Sequence, residues 1–165
     1  MQEYLSEAVV LNSYPAGDLD LRLSVFTKRF GKLTAKVKSA RKITSKLAGH
    51  LQPGDLVRIR LVEKGGLQAV DALKQGRIEV PPPDLALLDR ILHEGGQELR
   101  LWQMLADGAF SWPEALRILG WDPAEASCTL CGRRHPEVFR PRDQEFFCGN
   151  CALKLGRDEI ILIGK

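Results

Sequence analysis

The chain contains four cysteines, Cys128, Cys131, Cys148 and Cys151, which fall as two Cys-x-x-Cys pairs separated by 16 residues. Zinc takes four soft ligands in a tetrahedron, and each Cys-x-x-Cys turn presents two thiolates to one side of an ion. The gap lies in the range of four-cysteine zinc sites. Gly132 and Gly149 suit tight turns beside the ligands. With all four positions filled by cysteine, no place is left for water or substrate. The expectation is one structural Zn2+, held by Cys128, Cys131, Cys148 and Cys151, rather than a catalytic ion. The alternatives are redox-active pairs or cysteines with no shared role. No export signal is visible, which weighs against structural disulfides. His135 lies nearby and is read as a loop residue.

The second chemical feature is charge. The segment from Lys28 to Lys46 carries Lys28, Arg29, Lys32, Lys36, Lys38, Arg41, Lys42 and Lys46 and no acidic residue. Lys32, Lys36 and Lys38 share parity, so on a strand they project from one face; Arg41, Lys42 and Lys46 extend that face. Ser39, Thr44 and Ser45 add hydroxyl donors for phosphate oxygens. One-signed charge in a row is the footprint of a polyanion site; the competing reading is an ordinary solvated lysine face. Three aromatics stand near, Phe26, Phe30 and Tyr14. Phe26 has the parity of the polar face, which allows base stacking, although a cap on the end of a barrel is the slightly favoured reading.

Catalytic patterns are missing from the sequence. It holds no GxxxxGK[ST] phosphate loop, no GxSxG elbow and no HExxH pair. Asp18 and Asp20 flank a turn, and His50, His93 and His135 are scattered. Trp102, Trp112 and Trp121 read as core anchors. The chain is therefore expected not to be an enzyme.

The elements that must position these groups follow from periodicity. Leu19, Leu21, Leu23 and Val25 alternate with polar residues, as do Leu33, Ala35 and Val37, and a third pattern runs from Leu56 to Leu61. Such alternation means one buried and one wet face. Ser6–Tyr14 and Leu67–Leu73 complete about five strands. Turn chemistry separates them at Pro15–Asp18, Phe30-Gly31, Gln52–Asp55 and Gly65-Gly66. Five short strands with a longer link between the third and fourth fit a small closed OB-type barrel; an SH3-like barrel has similar spacing. Pro81-Pro82-Pro83 then ends the strands, and helical spacing begins at Leu85. Gly95-Gly96 predicts a kink or two short helices. Ser111 and Glu114 suit a capping box, and Gly120 a helix stop.

The fold class expected is α+β: an N-terminal five-stranded OB-type barrel over residues 1–80, followed by a helical domain over 84–165 that carries the zinc region at 128–151. Charge agrees with two units. Residues 1–80 hold fourteen Lys and Arg against eight Asp and Glu, a net +6, whereas 81–165 hold ten against thirteen, a net −3. The longest aliphatic run, Ile160–Ile163, is far short of the roughly 20 residues of a bilayer span, and no signal peptide is visible. The expected location is the cytoplasm, in association with the nucleoid.

These residues together resemble the bacterial RecO recombination-mediator family. The likeness is carried by Arg22-Leu-Ser-Val-Phe-Thr27, Gly31-Lys32, Ala35-Lys36-Val-Lys38-Ser-Ala-Arg41-Lys42 and Ser45-Lys-Leu-Ala-Gly-His-Leu51-Gln-Pro53. Leu119-Gly-Trp121 and the two cysteine pairs extend it. The resemblance implies an OB barrel packed on a helical zinc-bearing domain. It also implies binding to single- and double-stranded DNA, strand annealing without ATP, and work with RecR to let RecA displace single-strand-binding protein. Two departures stand out. Ser39 replaces the glycine usual in a Lys-Gly-Ala-Arg turn, and only 14 residues follow Cys151. The second leads us to expect weak docking of the single-strand-binding-protein tail. An interaction scaffold with weak nucleic-acid binding and an RNA-binding zinc protein are the alternatives.

Overall fold

The structure, a computed structural model, describes residues 1–42, 45–156 and 159–164. Thr44, one of the hydroxyl donors expected above, lies outside the described residues. The chain forms two compact units, Met1–Ala109 and Phe110–Lys165.

The first unit is built on five strands: β1 (Glu3–Ala16), β2 (Asp20–Thr27), β3 (Gly31–Val37), β4 (Asp55–Glu63) and β5 (Leu67–Arg77). They close in the order β1-β2-β3-β5-β4. All neighbours are antiparallel except β3 and β5, which run parallel. The parallel closure separates this OB barrel from an SH3-like one, a distinction the alternation leaves open. Apolar side chains fill the centre: Ala8, Val10, Leu23, Val25, Ala35, Val37, Val57, Ile59 and Leu61. The long β3–β4 link, with a 3-10 turn at Ala48–His50, sends Ala40, Leu47 and Leu51 into the same core.

Two helices complete this unit, α1 (Pro82–Ile91) and α2 (Leu99–Ala106). Prolines at the start of α1 suit a first turn, where the missing N–H costs nothing. Gly95 and Gly96 break the helical run with φ of +72° and +70°, as the glycine pair predicts. Gly95 instead pairs with β3, exchanging backbone hydrogen bonds with Lys32 at 2.8 and 3.2 Å. Gly31 makes this approach possible, since a Cβ there would lie 2.3 Å from the Gly95 carbonyl oxygen.

The second unit holds α3 (Trp112–Ile118), a hairpin of β6 (Val138–Arg140) and β7 (Glu145–Phe147), α4 (Gly149–Ala152) and β8 (Ile161–Leu162). The strands form one small sheet in the order β7-β6-β8. Gly120, at φ +100°, ends α3 as expected. Ser111 occupies the N-cap position but makes no side-chain capping bond, and Glu114 pairs with Arg117 instead. The apolar filling comes from Trp121, Phe139 and Phe146, whose rings meet at 5.0–5.4 Å.

Candidate functional site

Residues directly paired across a ladder point to the same face of the sheet. Tyr14 pairs with Arg22, Arg22 with Lys36, and Lys36 with Gln68. Their sequence neighbours Leu23, Ala35, Val37 and Ala69 point into the core. Tyr14, Arg22, Lys36 and Gln68 therefore form one transverse row on the outside of the barrel, across β1, β2, β3 and β5. Arg22, Lys36 and Gln68, with Thr34 and Ala35, line an open groove of about 660 Å³. Its rims are the β1–β2 turn at Ala16 and Gly17 and the β4–β5 turn at Gly65 and Gly66. This is the face, and these are the two loops, that OB folds use for oligonucleotides.

The groove is cationic but not uncompensated. The Lys36 ammonium lies 2.9 Å from Asp20 and its side chain is half exposed. Asp20 also accepts the backbone N–H of Ser39 at 2.7 Å. The hydrogen bond from Lys36, then that from Ser39, together with the nearby charge of Lys38, hold the Asp20 carboxyl below its usual range. Ser39 adopts φ +55°, the left-handed conformation that explains why glycine suits this turn.

The eight basic residues expected to act together are distributed over distinct places. Lys36 belongs to the groove. Lys38, Arg41 and Lys42 are exposed just beyond β3, and Arg41 donates to the Gly17 carbonyl at the rim. Lys46 is exposed further along the link. Lys28 and Arg29 occupy the β2–β3 turn at the other end of the strands, where with Arg58 and Leu5–Glu7 they line a separate cleft. There Lys28 pairs with Glu7 at 3.3 Å and lies over the Trp102 ring, while Arg29 donates to the Leu5 carbonyl.

Lys32 departs from the expected strip. It has the outward parity predicted, yet its side chain is only 14% exposed. Its ammonium meets the Asp89 carboxylate at 3.0 Å and donates to the carbonyls of Asp89 and Leu92 at 2.6 and 3.2 Å. Those carbonyls lie at the C-terminal end of α1, which favours a cation. The same helix holds the neighbouring outward positions, with the Ser24 hydroxyl bonded to Asp89. Phe26, two residues further on that face, is fully buried, so it has no surface for a base. The outer face of β2 and β3 is thus divided into a half tied to α1 and its following loop and a half left open as the groove.

Sequence reasoning missed Arg22 and Gln68. Arg22 carries the right signal, outward parity on β2, but it lies outside the acid-free run. Gln68 gives none, because its place depends on the parallel β3–β5 register.

In the second unit the β6–β7 hairpin, joined by the Val138↔Phe147 pair, helps bring the two cysteine turns together. The first turn closes through the Gly132 N–H to the Cys128 carbonyl at 2.8 Å, with Gly132 at φ +73°. The second begins at Cys148, the N-cap of α4. All four sulfurs lie within 4.8 Å of one another, and Cys131 and Cys148 Sγ are 3.7 Å apart. A tetrahedron with Zn–S bonds of about 2.3 Å has sulfur–sulfur edges of about 3.8 Å, so the cage has the size for zinc. Burial pushes the Cys128 thiol up, but the backbone N–H groups of Cys148, Cys131 and Leu130 outweigh it and hold it at about 6. Cys148 is also lowered, chiefly by the Cys151 N–H. Cys151, bonded to the Cys148 side chain and buried, is pushed up to about 12. The donor set suits a divalent soft cation, and Cys128, Cys131, Cys148 and Cys151 would hold it. His135 is exposed and outside this cluster.

The sequence is similar to those of known proteins. Residues 1–77 match the family model described as "Recombination protein O N terminal". The chain is 38% identical over 170 aligned residues to the DNA repair protein RecO of Myxococcus xanthus, covering 86% of this chain and 68% of the relative. It is 24% identical to the protein of the same name from Geobacter metallireducens, over 100% of this chain and 80% of the relative. The corresponding protein of Syntrophobacter fumaroxidans is 31% identical over 81% of this chain and 63% of its own length.

Proposed function

The chain belongs to the RecO family of DNA-repair proteins, and from that premise we propose that it is a DNA-binding recombination mediator that joins or loads DNA strands without ATP. The observation that carries this reading is the transverse row of Arg22 and Lys36 in the barrel groove, flanked by Lys38, Arg41 and Lys42. Annealing brings two polyanions together, so a protein speeds it by neutralising phosphates, and this needs charge rather than base readout. Residues 1–80 supply the DNA face in this reading, and 84–165 the helical and zinc-bearing part. The cation at Cys128, Cys131, Cys148 and Cys151 is one structural Zn2+, which ties two chain turns together and reacts with nothing. We propose no catalytic residue. RecR is the protein partner we propose, and the tail of single-strand-binding protein is the second to test. Among the described residues no helix is long and apolar enough to cross a membrane, and we place the protein with the nucleoid.

A second reading is favoured by the Lys36–Asp20 ion pair, which offsets part of the groove's charge: a scaffold that contacts repair proteins and binds nucleic acid weakly. Titrations with single-stranded DNA, duplex DNA and RNA at two salt concentrations separate the readings. Direct DNA binding through three to five of these cations gives a log–log salt slope of roughly −2 to −3.5 for single strands, at about −0.7 per contact. Replacing Lys36, Lys38 and Arg41 with alanine flattens that slope and slows annealing. A folded triple variant with wild-type affinity and slope would leave the scaffold reading standing, and tighter binding to RNA than to DNA would favour an RNA-binding zinc protein.

A further inference from the structure

Among the described residues Tyr14, 39% exposed, is the one aromatic side chain left open to solvent as a large apolar surface. The other aromatics of the barrel are committed elsewhere: Phe26 is fully buried, and Phe30 packs edge-on against Tyr4 at 5.1 Å. Tyr14 is also the first member of the transverse row, directly opposite Arg22 on the outward face. Among the described residues no hydrogen bond of its hydroxyl ties it to the barrel. The exposed ring faces Arg22 across the β1–β2 ladder, and Arg22 in turn faces Lys36 in the open groove, so one row carries a π face and two cations suited to phosphate.

We propose that Tyr14 is a base-stacking platform. Its ring takes the face of one unpaired nucleobase while Arg22 and Lys36 hold neighbouring phosphates, so the groove prefers single-stranded to duplex DNA. The preference arises because bases in a duplex already have both faces covered by their neighbours, whereas a single strand can turn one base outward. Stacking is tolerant of sequence because every base has a π face, which suits a protein that must act on any strand. This inference rests on the reading of the groove as a DNA site.

The test uses the full chain and three probes of equal length: an oligo(dT), an abasic deoxyribose-phosphate oligomer and a duplex. Tyr14→Ala is expected to weaken oligo(dT) binding by about five- to a hundred-fold. Binding to the abasic oligomer and to the duplex stays unchanged, as does the salt slope, because no charge is removed. Tyr14→Phe keeps wild-type affinity for all three, since the ring face remains. Wild-type oligo(dT) affinity in a folded Tyr14→Ala variant overturns the proposal, and so does an equal loss on the abasic oligomer. An Arg22→Ala/Lys36→Ala variant keeps the two ideas apart. If it loses affinity for every probe while Tyr14→Ala loses none, the groove binds DNA and only the stacking fails; if it loses none either, the groove itself is not the site.

Discussion

Replacing Lys32 and replacing Arg22 with Lys36 should give opposite phenotypes, although all three are cations on outward positions of β2 and β3. Lys32→Ala removes an ammonium that is 14% exposed and leaves the Asp89 carboxylate, 15% exposed, without its ion-pair partner. The Ser24 hydroxyl remains as a donor to that carboxylate, but the carbonyls of Asp89 and Leu92 lose theirs. A hydrogen bond to a charged group contributes about 1.5–3 kcal/mol, and breaking a buried pair costs about 3–5 kcal/mol. Because the pair retains some solvent contact, the expected loss is about 2–3 kcal/mol, or roughly 4–12 °C in the melting temperature of a chain this size. The salt slope of DNA binding stays at its wild-type value. Arg22→Ala/Lys36→Ala is the converse. Both side chains are exposed, so stability changes by less than about 0.5 kcal/mol per site, while the slope flattens by about 1.4 if each makes one phosphate contact. Thermal denaturation and affinity titrations over a salt series read both quantities. A Lys32→Ala protein that melts like wild type but binds DNA with a flattened slope would refute the division of this face between helix and groove.

Three other outcomes follow from the geometry. Elemental analysis of protein purified without chelator should find one zinc per chain, and Cys148→Ser should abolish it and expose the 128–151 region to protease while the barrel's melting is kept; four freely reactive thiols with no metal would contradict the cage. Ser39→Gly relieves a left-handed conformation that costs an L-residue about 1–2 kcal/mol, partly offset by the freer unfolded chain, so a net gain of about 0.5–1 kcal/mol should appear in denaturant melts; destabilisation would show that the serine side chain has a role of its own. Asp20 has its folded pKa depressed below 3.8 by Lys36 and the Ser39 N–H, so its contribution to stability is present above the unfolded value and is lost as pH falls through the lower folded one; an NMR titration with an Asp20 midpoint at or above 3.8 would count against both contacts.

Strands β2, β3 and β4 were legible because apolar and polar residues alternate along them, and the four-cysteine cluster because two Cys-x-x-Cys turns are a local signal that needs no reference to anything else. The helix break at Gly95-Gly96 was legible for a similarly local reason. Covering of an outer face is not local. Nothing in the alternation around Lys32 and Phe26 differs from that around Lys36, and it is Asp89 and Leu92, far along the chain from Lys32, that decide which cation is withdrawn. The short strands β6, β7 and β8 have two or three residues each, too few for a period to register. Arg22 and Gln68 needed the register of four strands before they became neighbours.

The barrel's closure has a consequence for how occupancy is sensed. β3 and β5 are joined by one register pair, Lys36↔Gln68, while β3 is paired to β2 at seven positions. That lone pair is the seam of the cylinder, and it lies in the floor of the groove. On the proposed reading of the groove as a DNA site, a strand laid from Arg22 towards Gln68 would cross the seam and hold its two lips together. Cylinder opening and strand release are then coupled equilibria, because a ligand that binds only the closed form stabilises it by mass action. The amides of β3 and β5 beside the seam would exchange with solvent fastest among the barrel strands in the free protein, and slow most when the groove is filled.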